Sequence, residues 1–260
     1  MIDFKQIERS NSRLGTLKNA PVVEAILAFY HLPLQLVPAS EISSKLKADF
    51  PSLTWSVVEK TSFNFNVTLK EGEPTSIASH DTDKGNPIFV GKQAESNLIV
   101  LVQSSQTAVT MQRPYTNWND FENRAMAIWE TIATGLDAKL THFGVRFINQ
   151  FDHNWPIRDY LTDNFINVPS EIKVHKVEYS RRTRQLITDT PYQAEVGLNF
   201  IPTNHQDDLL GSLQLDISIQ PVGDVQPDWA SLERLGELRL LKNLFFLSTI
   251  NNETLAACNE

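Results

Sequence analysis

Residues 97–150 constrain the chain most, because their apolar spacing runs from two, to between three and four, and back to two. Val100 and Val102, then Val109 and Met111, alternate with their neighbours on either side of a polar Ser104-Ser105-Gln106 turn. Strand side chains point to opposite faces in turn, so this pattern predicts an antiparallel hairpin with one buried face. Pro114 ends it, since proline has no N–H for the ladder and Arg113 before it is held extended. A helix is predicted next, capped by Thr116 or Asn117, with Asp120 and Glu122 against the positive end of its dipole. Trp118, Phe121, Ala125, Ile128, Trp129 and Ile132 form one stripe, and Gly135 suits a left-handed cap near the end. Residues 142–150 then return to alternation, with Phe143, Val145 and Phe147 on one face and Gly144, Arg146 and Ile148 on the other.

The same grammar places the remaining elements. Residues 1–18 read as a polar lead-in and 22–32 as a strand between Pro21 and Pro33. Ser40 is expected to cap a short helix with Ile42, Leu46 and Phe50 on one face, stopped by Pro51. Phe63, Phe65, Val67 and Leu69 alternate as a strand, 71–86 is a charged loop, and 87–91 is a short strand. After Gln150 the order repeats: a helix over 155–165, strands near 174–187, 192–201 and 213–220, and a long helix opened by Asp228-Trp229. Ile157, Leu161 and Phe165 restate the first helix's frame 115 positions on (157 − 42), and Trp229 restates Trp118 after 111 (229 − 118). An internal duplication is therefore expected, with 19–138 and 139–260 as two similar halves packed as one unit. Each half is a strand–helix–strands–helix run, which predicts an α+β protein with helices on one face of a curved antiparallel sheet. That order is similar to the half-repeat of the TATA-binding protein, a likeness of fold order alone.

Composition narrows the chemistry. Lysines and arginines number 23 against 31 acidic residues, a net charge of −8, which disfavours binding nucleic acid by bulk electrostatics. Cys258 is the sole cysteine, so neither an intramolecular disulfide nor a cysteine metal cluster can form. That usage and the polar N-terminal residues lead us to expect a cytoplasmic protein. No membrane span is expected, because the most apolar stretch, 238–250, is broken by Arg239, Lys242 and Asn243.

Four segments, Asn19-Ala20-Pro21-Val22-Val23-Glu24-Ala25, Arg113-Pro114-Tyr115 with Trp118, Gly144-Val145-Arg146-Phe147-Ile148-Asn149, and Lys242-Asn243-Leu244-Phe245-Phe246, resemble in order and spacing a sporadically distributed family of prokaryotic proteins of about this length. The resemblance brings no activity and no catalytic residue with it. It implies an accessory gene, as in phage-defence or toxin–antitoxin-like pairs.

Two groups of residues are candidate sites. Arg113, Tyr115, Arg146 and Asn149 offer fork-like and amide donors suited to a phosphate or carboxylate; the plainer alternative for Arg146 is an internal ion pair, with Glu24 as partner. Lys176, Arg181, Arg182 and Arg184 form a basic strip near a strand, able to follow a nucleic-acid backbone; the plainer alternative is a charged strand edge that resists aggregation. His80-Asp81-Thr82-Asp83, Asp152-His153 and His205-Gln206-Asp207-Asp208 put histidine beside carboxylates but lack a ligand spacing, so no metal and no cofactor is expected. Glu24 and Asp216 could form a carboxylate pair, and outward-facing residues are the better reading of them. No nucleophile elbow or glycine-rich phosphate loop is present. The reading that results is a non-catalytic adaptor acting through a protein partner encoded next to it. Its rival is a nucleic-acid or nucleotide binder using a concave sheet and the basic strip; self-association is compatible with either.

Overall fold

The computed structural model describes residues 17, 19–34, 38–58, 61–68, 76–84, 87–93, 97–151, 179–188, 190–202, 211–224, 226, 228–250 and 252–258. In chain order the elements are β1 (Val22–His31), α1 (Ala39–Asp49), β2 (Thr54–Val58), β3 (Thr61–Thr68), β4 (Ser76–Lys84), β5 (Ile88–Lys92), β6 (Leu98–Val102) and β7 (Gln106–Gln112). They continue with α2 (Trp118–Leu136), β8 (Leu140–Phe151), β9 (Tyr179–Leu186), β10 (Tyr192–Pro202), β11 (Gly211–Pro221), α3 (Leu232–Thr249) and α4 (Asn252–Ala257). The fold is α+β. Among the described residues nine strands make one antiparallel sheet in the order β2-β5-β6-β7-β1-β8-β11-β10-β9, and β3 pairs with β4 as a separate hairpin.

Alternation decides which face of this sheet is covered. Leu27 and Phe29 of β1, Val109 of β7, Val145 and Phe147 of β8, and Leu215 of β11 are buried on the same side. The helices pack on that side, as the ring stacking of Trp129 on Phe29 (5.1 Å) and of Phe246 on Phe151 (6.5 Å) records. A second apolar cluster, including Ile42, Leu46, Phe89, Val102 and Ile132, joins α1 to α2 and the outer strands. Burying large apolar side chains at roughly 2 kcal/mol each makes these two clusters the main driving force for the layer. No described helix is long and apolar enough to cross a membrane.

Several local details depart from the sequence reading. Residues 71–86 contain β4 rather than one loop, so His80-Asp81-Thr82-Asp83 stands on a strand. Strand β2 was not foreseen, because four of its five residues are exposed and nothing in it alternates. Pro38, not Ser40, precedes α1, and no side chain caps that helix. Asp137, not Gly135, takes the left-handed position after α2 (φ 49°). Gly135 serves close approach instead: a Cβ there would lie 2.7 Å from Asp49 Oδ2, and its carbonyl accepts from Lys45 Nζ at 2.9 Å. Helix α3 begins at Leu232, capped by Ser231, so Trp229 lies in the turn before it. The helix expected over 155–165, Asp152-His153 and His205-Asp208 lie outside the described residues.

Candidate functional site

Strand β8 divides the first group of candidate residues. Asn149 shares the covered face with Val145 and Phe147, is 2% exposed, and donates from Nδ2 to the Leu215 carbonyl at 3.2 Å. Arg146 has the opposite parity and leaves from the other face, where Nε and Nη2 donate to Asp216 Oδ1 and Oδ2 at 2.8 and 2.7 Å. That bidentate bond holds the guanidinium above its ordinary pKa against the opposing effect of desolvation. Glu24 and Asp216 both pair with Ile148, so both stand diagonal to Arg146. The guanidinium turns to Asp216, and Glu24 adds only the attraction of its charge. Arg113 is exposed at the end of β7 and reaches the Gln150 carbonyl at 3.5 Å. The four residues are therefore not one site.

Two of the four residues of the basic strip are in ion pairs. Arg182 and Arg184 converge on Glu195 at 2.8 and 3.2 Å, and Arg182 also lies 3.5 Å from Asp216. Gly197, the β10 residue between Arg182 and Asp216, has no side chain to separate them. Arg181 is exposed and has the opposite parity, and Lys176 lies outside the described residues. What remains on the other face of the sheet is a chain of contacts, Arg146–Asp216–Arg182–Glu195–Arg184, running from β8 to β9. Its outer arginines are 60% and 68% exposed, where such pairs contribute little.

Tyr115 and Asn149, in contrast, meet around a cleft of about 410 Å³ on the covered side, between the first turn of α2 and α3. Asn117 builds one rim by accepting from the Asp120 N–H at 2.9 Å, which fixes where α2 starts. From α3, Arg239 and Lys242 are three residues apart and so project from one side of the helix. The Arg239 guanidinium carbon lies 5.6 Å from the centre of the Trp118 ring, and Lys242 Nζ lies 4.0 Å from that of Phe147. The two rings are stacked at 6.0 Å, so the cations flank an aromatic pair. Leu17, Val22, Phe246, Leu247 and Leu255 complete an apolar wall, and no aspartate, glutamate, histidine or cysteine is among the described residues that line the cleft.

This setting perturbs its titratable groups. Lys242 is partly exposed by area, yet its ammonium is so far desolvated that its pKa falls to about 7, with the Arg239 charge a smaller cause. Tyr115 packs edge-on against Phe147 at 5.7 Å, and burial holds its phenol well above the ordinary value despite the nearby arginine. Cys258, beyond the cleft, is fully buried and its thiol is pushed up to about 11. Among the described residues no group of three or more metal-ligating side chains converges.

Sequence reasoning placed Tyr115 and Asn149 among candidate residues and missed Trp118, Arg239, Lys242 and Asn243 as site residues. The available signal was a pair of cations interrupting the most apolar stretch of the chain. Each of the four segments that carry the family resemblance supplies lining: Ala20 to Val22, Tyr115 with Trp118, Phe147 with Asn149, and Lys242, Asn243 and Phe246. No family model matches the chain, and no curated protein matches it significantly.

Proposed function

We propose that this chain is a non-catalytic binding module made of two copies of one unit, with its ligand place in the cleft between α2 and α3. The observation that carries this reading is the convergence of remote segments on one concave site with two cations and, among the described residues, no lining carboxylate. Amides, cations and apolar walls are the lining that holds a ligand. The adaptor role, the prokaryotic gene-pair setting and a neighbouring-gene partner belong to the same proposal, with the cleft as the place where a ligand or partner group is read. Native mass spectrometry tests it. Protein purified from its own cells should carry a non-covalent small molecule that Asn149→Leu, with its fold intact, does not. Equal, empty spectra for both would remove the reading.

Support for the doubled unit comes from the sheet order, which is β2-β5-β6-β7-β1 on one side and β8-β11-β10-β9 on the other, with the units' first strands adjacent. Helices α2 and α3 start 114 positions apart (232 − 118). Phe29 and Phe143, also 114 apart (143 − 29), are register partners. Two copies related by a two-fold axis through that pair would have both properties.

One observation favours a second reading. Lys242 Nζ sits desolvated over Phe147, three residues from Arg239, which lowers its pKa to about 7, so the unprotonated amine can add to a carbonyl ligand and release water to give an imine. Borohydride reduction in the presence of pyruvate would then add a stable mass to the wild type and none to Lys242→Met; no adduct in either removes this alternative.

A further inference from the structure

The class of ligand can be argued further, on the premise that the cleft is a binding site. Lys242 could have kept its ammonium in bulk water by leaving α3 in another rotamer, as surface lysines do. It lies instead over Phe147, three residues from a second cation, and no carboxylate among the described lining residues offsets either. Holding a desolvated ammonium against an aromatic ring returns about 2 kcal/mol at best, while the desolvation costs several. The arrangement therefore leaves the protonated amine without a counter-charge among the described lining residues, and a bound anion would supply one. The first turn of α2 adds to the demand, since the positive end of its dipole borders the same space. Asp120, the acidic residue in that turn, does not line the cleft and is occupied on the exposed side by Thr116 and Arg124.

A bare inorganic anion does not fit the remainder. The volume of about 410 Å³ far exceeds one small ion, and the half-buried Leu247 and Leu255 would be left against water. We infer that the cleft takes a small amphipathic organic anion, with its charged head between Arg239 and Lys242 and its apolar body along Phe246, Leu247 and Leu255. The head needs one or two acceptor oxygens, a chemistry that carboxylates and phosphate monoesters share.

Calorimetry with four probes tests this on the full chain: decanoate, decyl phosphate, decan-1-ol and inorganic phosphate. The expected result is binding of decanoate or decyl phosphate at least about tenfold tighter than decanol, as for a charge-assisted hydrogen bond in a partly dry site. Which of the two binds better identifies the head group. In Lys242→Met the preference over decanol should vanish while decanol binding persists, and Arg239→Met provides the same comparison should the first variant not fold. Equal binding of decanol and the anions by the wild type overturns the anionic class and leaves the cleft as a binding site. Inorganic phosphate binding as well as decyl phosphate also overturns it. Silence of all four probes, together with no co-purifying molecule, removes the inference and the binding reading alike.

Discussion

At the scale of single residues, Lys242 is where stability and function pull apart. A desolvated cation beside Phe147 opposes folding, so Lys242→Met, which keeps the stem and removes the charge, should stabilise the protein at pH 7 by on the order of 1–3 kcal/mol. A lysine held there only for its ring contact would give the opposite sign in a denaturation experiment. The pH dependence follows from the direction of the shift. The folded-state pKa of about 7 lies below the ordinary value of 10.5. Below about pH 7 both states carry the proton and the destabilisation is fully present; between pH 7 and 10.5 only the unfolded chain does, so stability rises with pH. The charged and titratable groups facing it are Arg239 on its own helix and Tyr115 across the cleft, and the other lining residues are uncharged. The stability gap between Lys242→Met and the wild type should accordingly shrink as pH is raised from 7 to 10. A gap constant over that range would show that Lys242 is not the group concerned. Asp216 gives a contrasting case: Asp216→Ala removes the bidentate partner of Arg146 and the second contact of Arg182, and should cost about 1–3 kcal/mol. Glu195 to Ala, exposed at 24% and paired with exposed arginines, should cost less than 1 kcal/mol in the same urea titration.

At the scale of elements, the exposed edge strand β2 depends on what lies across from it. Trp55 is the register partner of Gly91 on β5, and a Cβ at Gly91 would lie 2.8–2.9 Å from three atoms of the indole. Gly91→Val should therefore expel Trp55 from its packing against Phe50, cost about 1–3 kcal/mol by overpacking, and shift Trp fluorescence to the red. An unchanged emission spectrum would mean that the indole had not moved. The helix α2, its Asn117 cap and the β6–β7 hairpin were legible in the sequence because each rests on local spacing and local hydrogen bonds. Strand β2 was not, since pairing with β5 rather than its own pattern makes it a strand. The left-handed position after α2 fell to Asp137 because contact with Asp49 and Lys45, remote in sequence, claimed Gly135 for another purpose. The site was legible in part for the same reason. Parity along β8 by itself separates Arg146 from Asn149, yet only the packing of α3 on β8 brings Lys242 to Phe147.

At the scale of the whole molecule, everything joins where β1 meets β8. Their antiparallel register runs from Glu24↔Ile148 to Tyr30↔His142, with Phe29↔Phe143 within it. Covered-face residues on the two strands are partners throughout: Ala25 with Phe147, Leu27 with Val145, Phe29 with Phe143. If the halves descend from one unit, the ancestral protein was a dimer in which this strand paired with its own copy about a two-fold axis. At a Phe29↔Phe29 axis Leu27 faces His31, both buried, whereas Ala25 faces Pro33 beyond the end of β1, so a homodimer of the first half alone buries the centre of the same side. A chain ending at residue 138 leaves β1 as an open edge with unpaired N–H and C=O groups, which favours recruiting a second strand. Residues 1–138 expressed alone should therefore run as a dimer by light scattering, and equimolar 139–260 should convert that dimer into a one-to-one complex. The mixed complex should also regain the cleft, since Trp118 and Tyr115 come from one fragment and Phe147, Arg239 and Lys242 from the other. A folded, monomeric 1–138 fragment would argue that β1 and β8 are partners by local fit alone, and the duplication would then lose its main physical support.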